Sequence, residues 1–192
     1  LMHEAGLPKE VLALLPGDGA QVGSVVTSDT RISGVAFTGS TQTAHIINRA
    51  LAARDGAIAP MVAETGGQNA MIVDSTALPE QVIKDVVHSA FQSAGQRCSA
   101  LRVLFIQEDI SERVIELLKG AMAELNIGNP GYRSTDVGPV IDAEARTGLQ
   151  QHIEKMKAAG RLIAETPLPA DLDGYFVAPV AFRLDSISEL EK

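Results

Sequence analysis

Short apolar runs alternate with longer amphipathic stretches along this chain, and that alternation limits the fold more than any single motif. Val11 to Leu15, Gly34 to Phe37, Met61 to Ala63, Ala70 to Val73, Val103 to Ile106 and Arg161 to Ala164 read as strands. Between them, Gln42 to Ala53, Pro79 to Ser93, Ser111 to Leu125 and a segment from Asp142 to Ala159 read as helices. Ala44, Ile46, Ile47, Ala50 and Leu51 are the apolar positions of the first. Val82, Ile83, Val86, Val87 and Ala90 share one face of the second, with Glu80, Lys84 and Asp85 outside. Ser111 and Asp142 are of the types that cap helix N-termini. A shorter helix is expected over Gln21 to Val26, and residues 2–6 read as a helix end closing at Gly6. The loops 126–134 and 166–174 are rich in glycine, proline and polar residues, and Tyr175 to Leu184 reads as extended. The pattern predicts an α/β protein, mostly parallel sheet with flanking helices.

Composition narrows the function. Hydrophobic residues make up 45% of the 192, enough for a substantial core. A net charge of −8 with no basic run argues against a nucleic-acid surface, which needs clustered Lys and Arg. The apolar runs are too short for a membrane span. A single cysteine precludes an internal disulfide and suits a reducing compartment, so a cytoplasmic location is expected. The opening Leu1-Met2-His3-Glu4-Ala5-Gly6 lacks the pattern of a signal peptide and reads as mid-protein sequence. The expectation is a fragment of a longer parent. The histidines His3, His45, His88 and His152 are scattered, with no metal-ligand spacing, and no metal is expected.

Two Gly/Ser-rich turns lie at the C-terminal ends of strands, where open α/β sheets hold ligands, and a third turn carries the lone cysteine. Gln96-Arg97-Cys98-Ser99-Ala100 joins a helix to a strand and carries the lone cysteine. A thiolate there is a soft nucleophile, whereas free cysteine elsewhere is an apolar filler. Arg97 is adjacent in sequence only, and neighbouring side chains commonly diverge. Thr38-Gly39-Ser40-Thr41 joins a strand to a helix. It suits an anion through the helix N-terminus, and it equally suits an ordinary cap. Glu64-Thr65-Gly66-Gly67-Gln68-Asn69 breaks two apolar strands. Glu64 reads as a general base tuned by partial burial or as a solvated carboxylate.

Taken together, Phe37-Thr38-Gly39-Ser40-Thr41, Glu64-Thr65-Gly66-Gly67-Gln68-Asn69 and Gly95-Gln96-Arg97-Cys98 resemble the aldehyde dehydrogenase superfamily in order and spacing, with 34 residues from Glu64 to Cys98. Thr65 and Gln68 depart from the usual E-L-G-G-K, and Ala44 stands where many relatives have glycine. Phe37 through Ala53, Glu64 through Ser75 and Gln96 through Arg102 resemble most the dehydrogenase part of the bifunctional proline utilization A family. The resemblance implies a partial aldehyde dehydrogenase fold. Residues 1–65 would be the C-terminal part of a Rossmann-like NAD-binding domain, and 66–192 the N-terminal part of the catalytic domain.

The implied activity is NAD-dependent oxidation of L-glutamate γ-semialdehyde, formed from pyrroline-5-carboxylate, to L-glutamate. Cys98 would be the nucleophile and Glu64 the base that activates water. Thr38, Gly39, Ser40 and Gly66 would contact NAD, with Gly17 and Gly19 on its adenosine side. Ser99 would bind the substrate carboxylate. FAD would belong to a proline dehydrogenase domain outside this chain. The family's oxyanion asparagine, ribose lysine and Glu-x-Phe-Gly-Pro segment fall outside it too, so the chain alone is expected to show little or no turnover. The parent would be a homo-oligomer, with peripheral contact at the inner membrane left open. The alternatives are another NAD(P)-dependent semialdehyde dehydrogenase and a non-catalytic α/β fragment.

Overall fold

The structure, a computed structural model, describes residues 1–190. The chain divides into two compact units, Leu1–Gly66 and a larger one from Gly67 onward.

In the first unit, a helical turn closes at Gly6, whose φ is +96°. A π-helical turn, Gly19–Gly23, runs into α1, Ser24–Ser28. Strand β1, Val35–Gly39, leads into α2, Thr41–Ala52, and β2 is Met61–Thr65. β1 and β2 pair in parallel. α2 packs on the strand pair and against α1, burying Ala44 and Leu51. Ile46, another apolar position of this helix, is 54% exposed.

The second unit begins with β3, Asn69–Val73, followed by α3, Pro79–Phe91. Proline at N1 starts this helix well, because its missing N–H is not needed there. A tight turn, Gln92–Gly95, and the Cys98 segment lead into β4, Leu101–Ile106, then α4, Glu108–Ala123. β3 and β4 pair in parallel, as the intervening helix requires. Val73, Val82, Ile83, Val86, Leu101, Val114, Leu118 and Met122 form the core between this pair and helices α3 and α4. Burying each such aliphatic side chain contributes roughly 1.5–3 kcal/mol. α5, Ala143–Ala158, is capped by Asp142, which accepts from the Ala145 N–H at 2.8 Å. β5, Leu162–Glu165, pairs antiparallel with β6, Val180–Phe182. Thr166 is fully buried and satisfied by donating to the Met122 carbonyl at 2.9 Å. A smaller cluster joins Ile127, Val137 and Phe176.

Two local expectations are corrected. Val11 to Leu15 forms no strand: no described strand pairs with it, and Val11, Leu12, Leu14 and Leu15 are exposed. An extended segment without a ladder partner gains too little to hold its backbone in register. Ser111 does not cap α4. The helix starts a turn earlier, with Gln107 at the cap position, and the Ser111 hydroxyl donates to the Glu108 carbonyl at 2.8 Å. The first turn instead carries Glu108 and Asp109, which favour the positive helix end. The described strands form three pairs, two parallel and one antiparallel, in keeping with the mostly parallel α/β fold expected.

Candidate active site

The first unit brings two of the three turns together. In the β1·β2 register, Thr38 lies opposite Glu64 and Gly39 opposite Thr65. The C-terminal ends of two parallel strands therefore present Thr38-Gly39-Ser40 and Glu64-Thr65-Gly66 side by side. Thr38, Gly39, Ser40, Glu64 and Gly66 are all exposed. The partial burial expected for Glu64 is thus not found, because its strand has burial only at its two ends, Met61 and Thr65.

Ser40 is the N-cap of α2. Its hydroxyl oxygen accepts from the Thr43 N–H at 3.0 Å and its proton goes to Thr43 Oγ1 at 2.9 Å. With the Thr43 amide taken by this cap, the first two amides of the 12-residue helix, at Thr41 and Gln42, have no intrahelical partner and lie at its positive dipole end. This donor set fits a phosphate group. Gly39 also has a packing reason: a Cβ there would lie 2.5 Å from the Phe37 ring. Gly17 and Gly19 are exposed in the turn before α1. There Asp18 Oδ1 accepts from the Ala20 N–H at 2.6 Å.

The second unit holds Cys98 and Ser99, both exposed. The run into them is unusual. Ser93, Ala94 and Gly95 are consecutive left-handed residues, at φ +57°, +53° and +68°. Two of the three have a Cβ, so this conformation costs roughly 1–2 kcal/mol each. Gly95 could be nothing else: a Cβ would meet the Ala90 carbonyl oxygen at 2.8 Å.

The turn itself closes with the Ala100 N–H on the Arg97 carbonyl at 3.1 Å. Its other tethers are both local and distant. Asn69 Nδ2 donates to the Cys98 carbonyl at 2.7 Å and to the Ala100 carbonyl at 2.9 Å. Gln96 Oε1 accepts from the Ile141 N–H at 2.8 Å, while its Nε2 reaches the carbonyls of Ser93, at 3.1 Å, and Pro139, at 3.4 Å. The Leu101 N–H donates to Ser89 Oγ at 3.2 Å. Arg102 donates to the Gly95 carbonyl at 2.5 Å. Arg97 turns back to the His88 carbonyl at 3.2 Å, at the end of α3. These contacts hold the backbone around the cysteine and leave its side chain exposed, the arrangement a nucleophile needs.

Asn69 and Gln96 stood inside the sequence motifs with no role attached. Their signal was weak: uncharged amides beside glycine-rich turns, whose partners lie roughly 30 to 45 residues away. Glu64 belongs to the first unit and Cys98 to the second. Among the described residues, no group of three or more His, Cys, Asp or Glu side chains is placed to hold a metal, and no helix is long and apolar enough to cross a membrane.

Comparison with known proteins bears on the family and the overall fold. The chain is 50% identical to the bifunctional protein PutA of Klebsiella aerogenes, over its whole length and 15% of that protein. It is 36% identical to 1-pyrroline-5-carboxylate dehydrogenase of Geobacillus kaustophilus, over 95% of the chain and 36% of that protein. It superimposes on a crystal structure of a proline utilization A mutant from Bradyrhizobium japonicum with a TM-score of 0.94 and 55% identity, covering all of this chain and 19% of that one. The chain therefore spans less than a fifth of the bifunctional relatives it matches. The family model for aldehyde dehydrogenases matches residues 1–188, and the chain, with the cysteine turn and paired strand ends described above, belongs to the aldehyde dehydrogenase family.

Proposed function

We propose that this chain supplies the nucleophile, the base and part of the cofactor cradle of a parent enzyme that oxidises L-glutamate γ-semialdehyde to L-glutamate. One observation carries the reading: the only thiol of the chain is exposed in a turn whose Cys98 and Ala100 carbonyls are both gripped by the Asn69 side chain, 29 and 31 residues away. A structural filler cysteine would be buried. The substrate class is supported by the relative named 1-pyrroline-5-carboxylate dehydrogenase, because pyrroline-5-carboxylate opens in water to glutamate semialdehyde.

The Cys98 thiolate adds to the aldehyde carbon and gives a thiohemiacetal. The Cys98 backbone N–H helps hold the oxyanion. Oxidation of that adduct leaves a thioester on Cys98. Glu64 takes a proton from water, and the resulting hydroxide equivalent releases glutamate and the thiolate. Ser99 binds the substrate's carboxylate. Thr38, Gly39, Ser40 and Gly66 would hold NAD, with Gly17 and Gly19 toward its adenosine. When bound, NAD supplies the hydride acceptor. In this reading residues 1–65 close the NAD-binding domain and 66–192 open the catalytic domain. Since the chain covers only 15% of the first relative, it turns over little or nothing by itself.

Steady-state NADH formation by the complete parent chain tests this. Glutamate semialdehyde is the preferred substrate and Cys98→Ala abolishes turnover. Retained turnover in Cys98→Ala refutes the nucleophile. A preference for succinate semialdehyde keeps the chemistry and moves the assignment to another semialdehyde dehydrogenase.

A further inference from the structure

We infer that Asn69 is a positioning residue for the nucleophile, a side-chain clamp that sets the pitch of the Cys98 turn; the inference rests on the reading of Cys98 as the attacking thiol. A carboxamide –NH2 has two protons, and here each has an acceptor: the carbonyls of Cys98 at 2.7 Å and Ala100 at 2.9 Å. Both partners only accept, so the amide's orientation is fixed and its donor capacity fully used. The partners lie 29 and 31 residues away, so no local turn preference produces this contact.

The clamp sits at an irregularity. Asn69 is opposite Leu101, but the next residue, Ala70, is already opposite Val103. The β3·β4 ladder therefore slips by a residue beside the cysteine turn, where ladder hydrogen bonds cannot hold it. The Asn69 side chain replaces them. Planarity then carries the constraint forward. The Cys98 carbonyl and the Ser99 N–H belong to one trans peptide and point in opposite directions. Gripping that carbonyl therefore aims the Ser99 N–H away from Asn69 and fixes the backbone that bears the thiol.

The test uses the complete parent chain with Asn69→Ala and Asn69→Asp. Asp is nearly isosteric, so it is the decisive variant if Ala fails to fold. Ionised, it brings only acceptor oxygens to two carbonyls; protonated, it regains one donor. Two quantities are measured across a pH series: kcat for glutamate semialdehyde and the rate of iodoacetamide alkylation of Cys98. Both fall together by about 10–100-fold, as a displacement of roughly 1 Å produces, while KM for NAD changes less than about twofold. In Asn69→Asp the deficit relative to wild type narrows as pH falls. Unchanged kcat and alkylation in Asn69→Asp overturn the proposal. So does a loss that only follows thermal stability and vanishes on cooling. A Cys98→Ala control that still turns over would instead sink the nucleophile reading, and this inference with it.

Discussion

The Ser40 turn and the Cys98 turn both join a helix to a strand, yet they are held in opposite ways. Ser40 is fixed by its own helix: both hydroxyl contacts go to Thr43, three residues on. The Cys98 turn is fixed from elsewhere, by Asn69 on β3 and by Gln96 reaching Pro139 and Ile141. A phosphate cradle needs mainly amides that a helix start provides without help. A nucleophile needs its backbone held in one pose while its side chain stays open, and strained left-handed residues precede it. Only nonlocal contacts can hold such a pose, since local propensity opposes it.

The largest effect separates the two turns by half-reaction. Glu64 stands opposite Thr38 on the first unit's strand pair, and Glu64→Gln lowers steady-state turnover of the parent by about 10²–10⁴-fold. It leaves a single-turnover burst of NADH, because Cys98 still forms its thioester. Rapid-quench kinetics without a burst would show that the base also serves the first step. Next, Gln96→Ala cuts the tether to the 139–141 segment. It costs about 1–2 kcal/mol in denaturant unfolding. It also lowers kcat about tenfold through misplacement of the turn. A variant with unchanged kcat would mean that this nonlocal tether is dispensable.

Ser40 gives a smaller, sharper split. Ser40→Ala loses the cap, about 1 kcal/mol. Ser40→Asp keeps the cap and its stability, but its charge repels a phosphate and raises KM for NAD. Equal NAD affinity in Ser40→Asp would confine Ser40 to capping. The smallest effect lies outside both turns. The Arg161 guanidinium hydrogen-bonds Asp185 and holds its carboxyl below the ordinary value of 3.8. A carboxyl lowered in the folded state adds stability above its unfolded pKa and loses it as pH falls through the folded one. Asp185→Asn therefore lowers neutral-pH stability slightly, the pair being on the surface, and flattens the loss below about pH 4 by the same small amount. Acid titrations that superimpose for the two proteins would contradict this.

Much of the fold was legible because it is local. The periodicity of Val82, Ile83 and Val86 located α3, and these side chains do enter the core. Asp142 capped α5 as its type suggests. Val11 to Leu15 misled because a strand is defined by its partner, and a run of apolar residues does not name one. Ser111 misled because a hydroxyl inside a helix satisfies itself on a preceding carbonyl as readily as it caps.

The sequence by itself determined the strand–helix alternation, the Ser40 cap, the one available thiol and the ordered motifs that carry the family resemblance. Each depends on residue type and short spacing. Only the tertiary structure decided that Thr38 and Glu64 share a register and that Asn69 and Gln96 hold the cysteine turn. Those contacts join residues tens of positions apart, and an amide side chain carries no mark of which distant carbonyl it will meet until burial and strand pairing bring the two together.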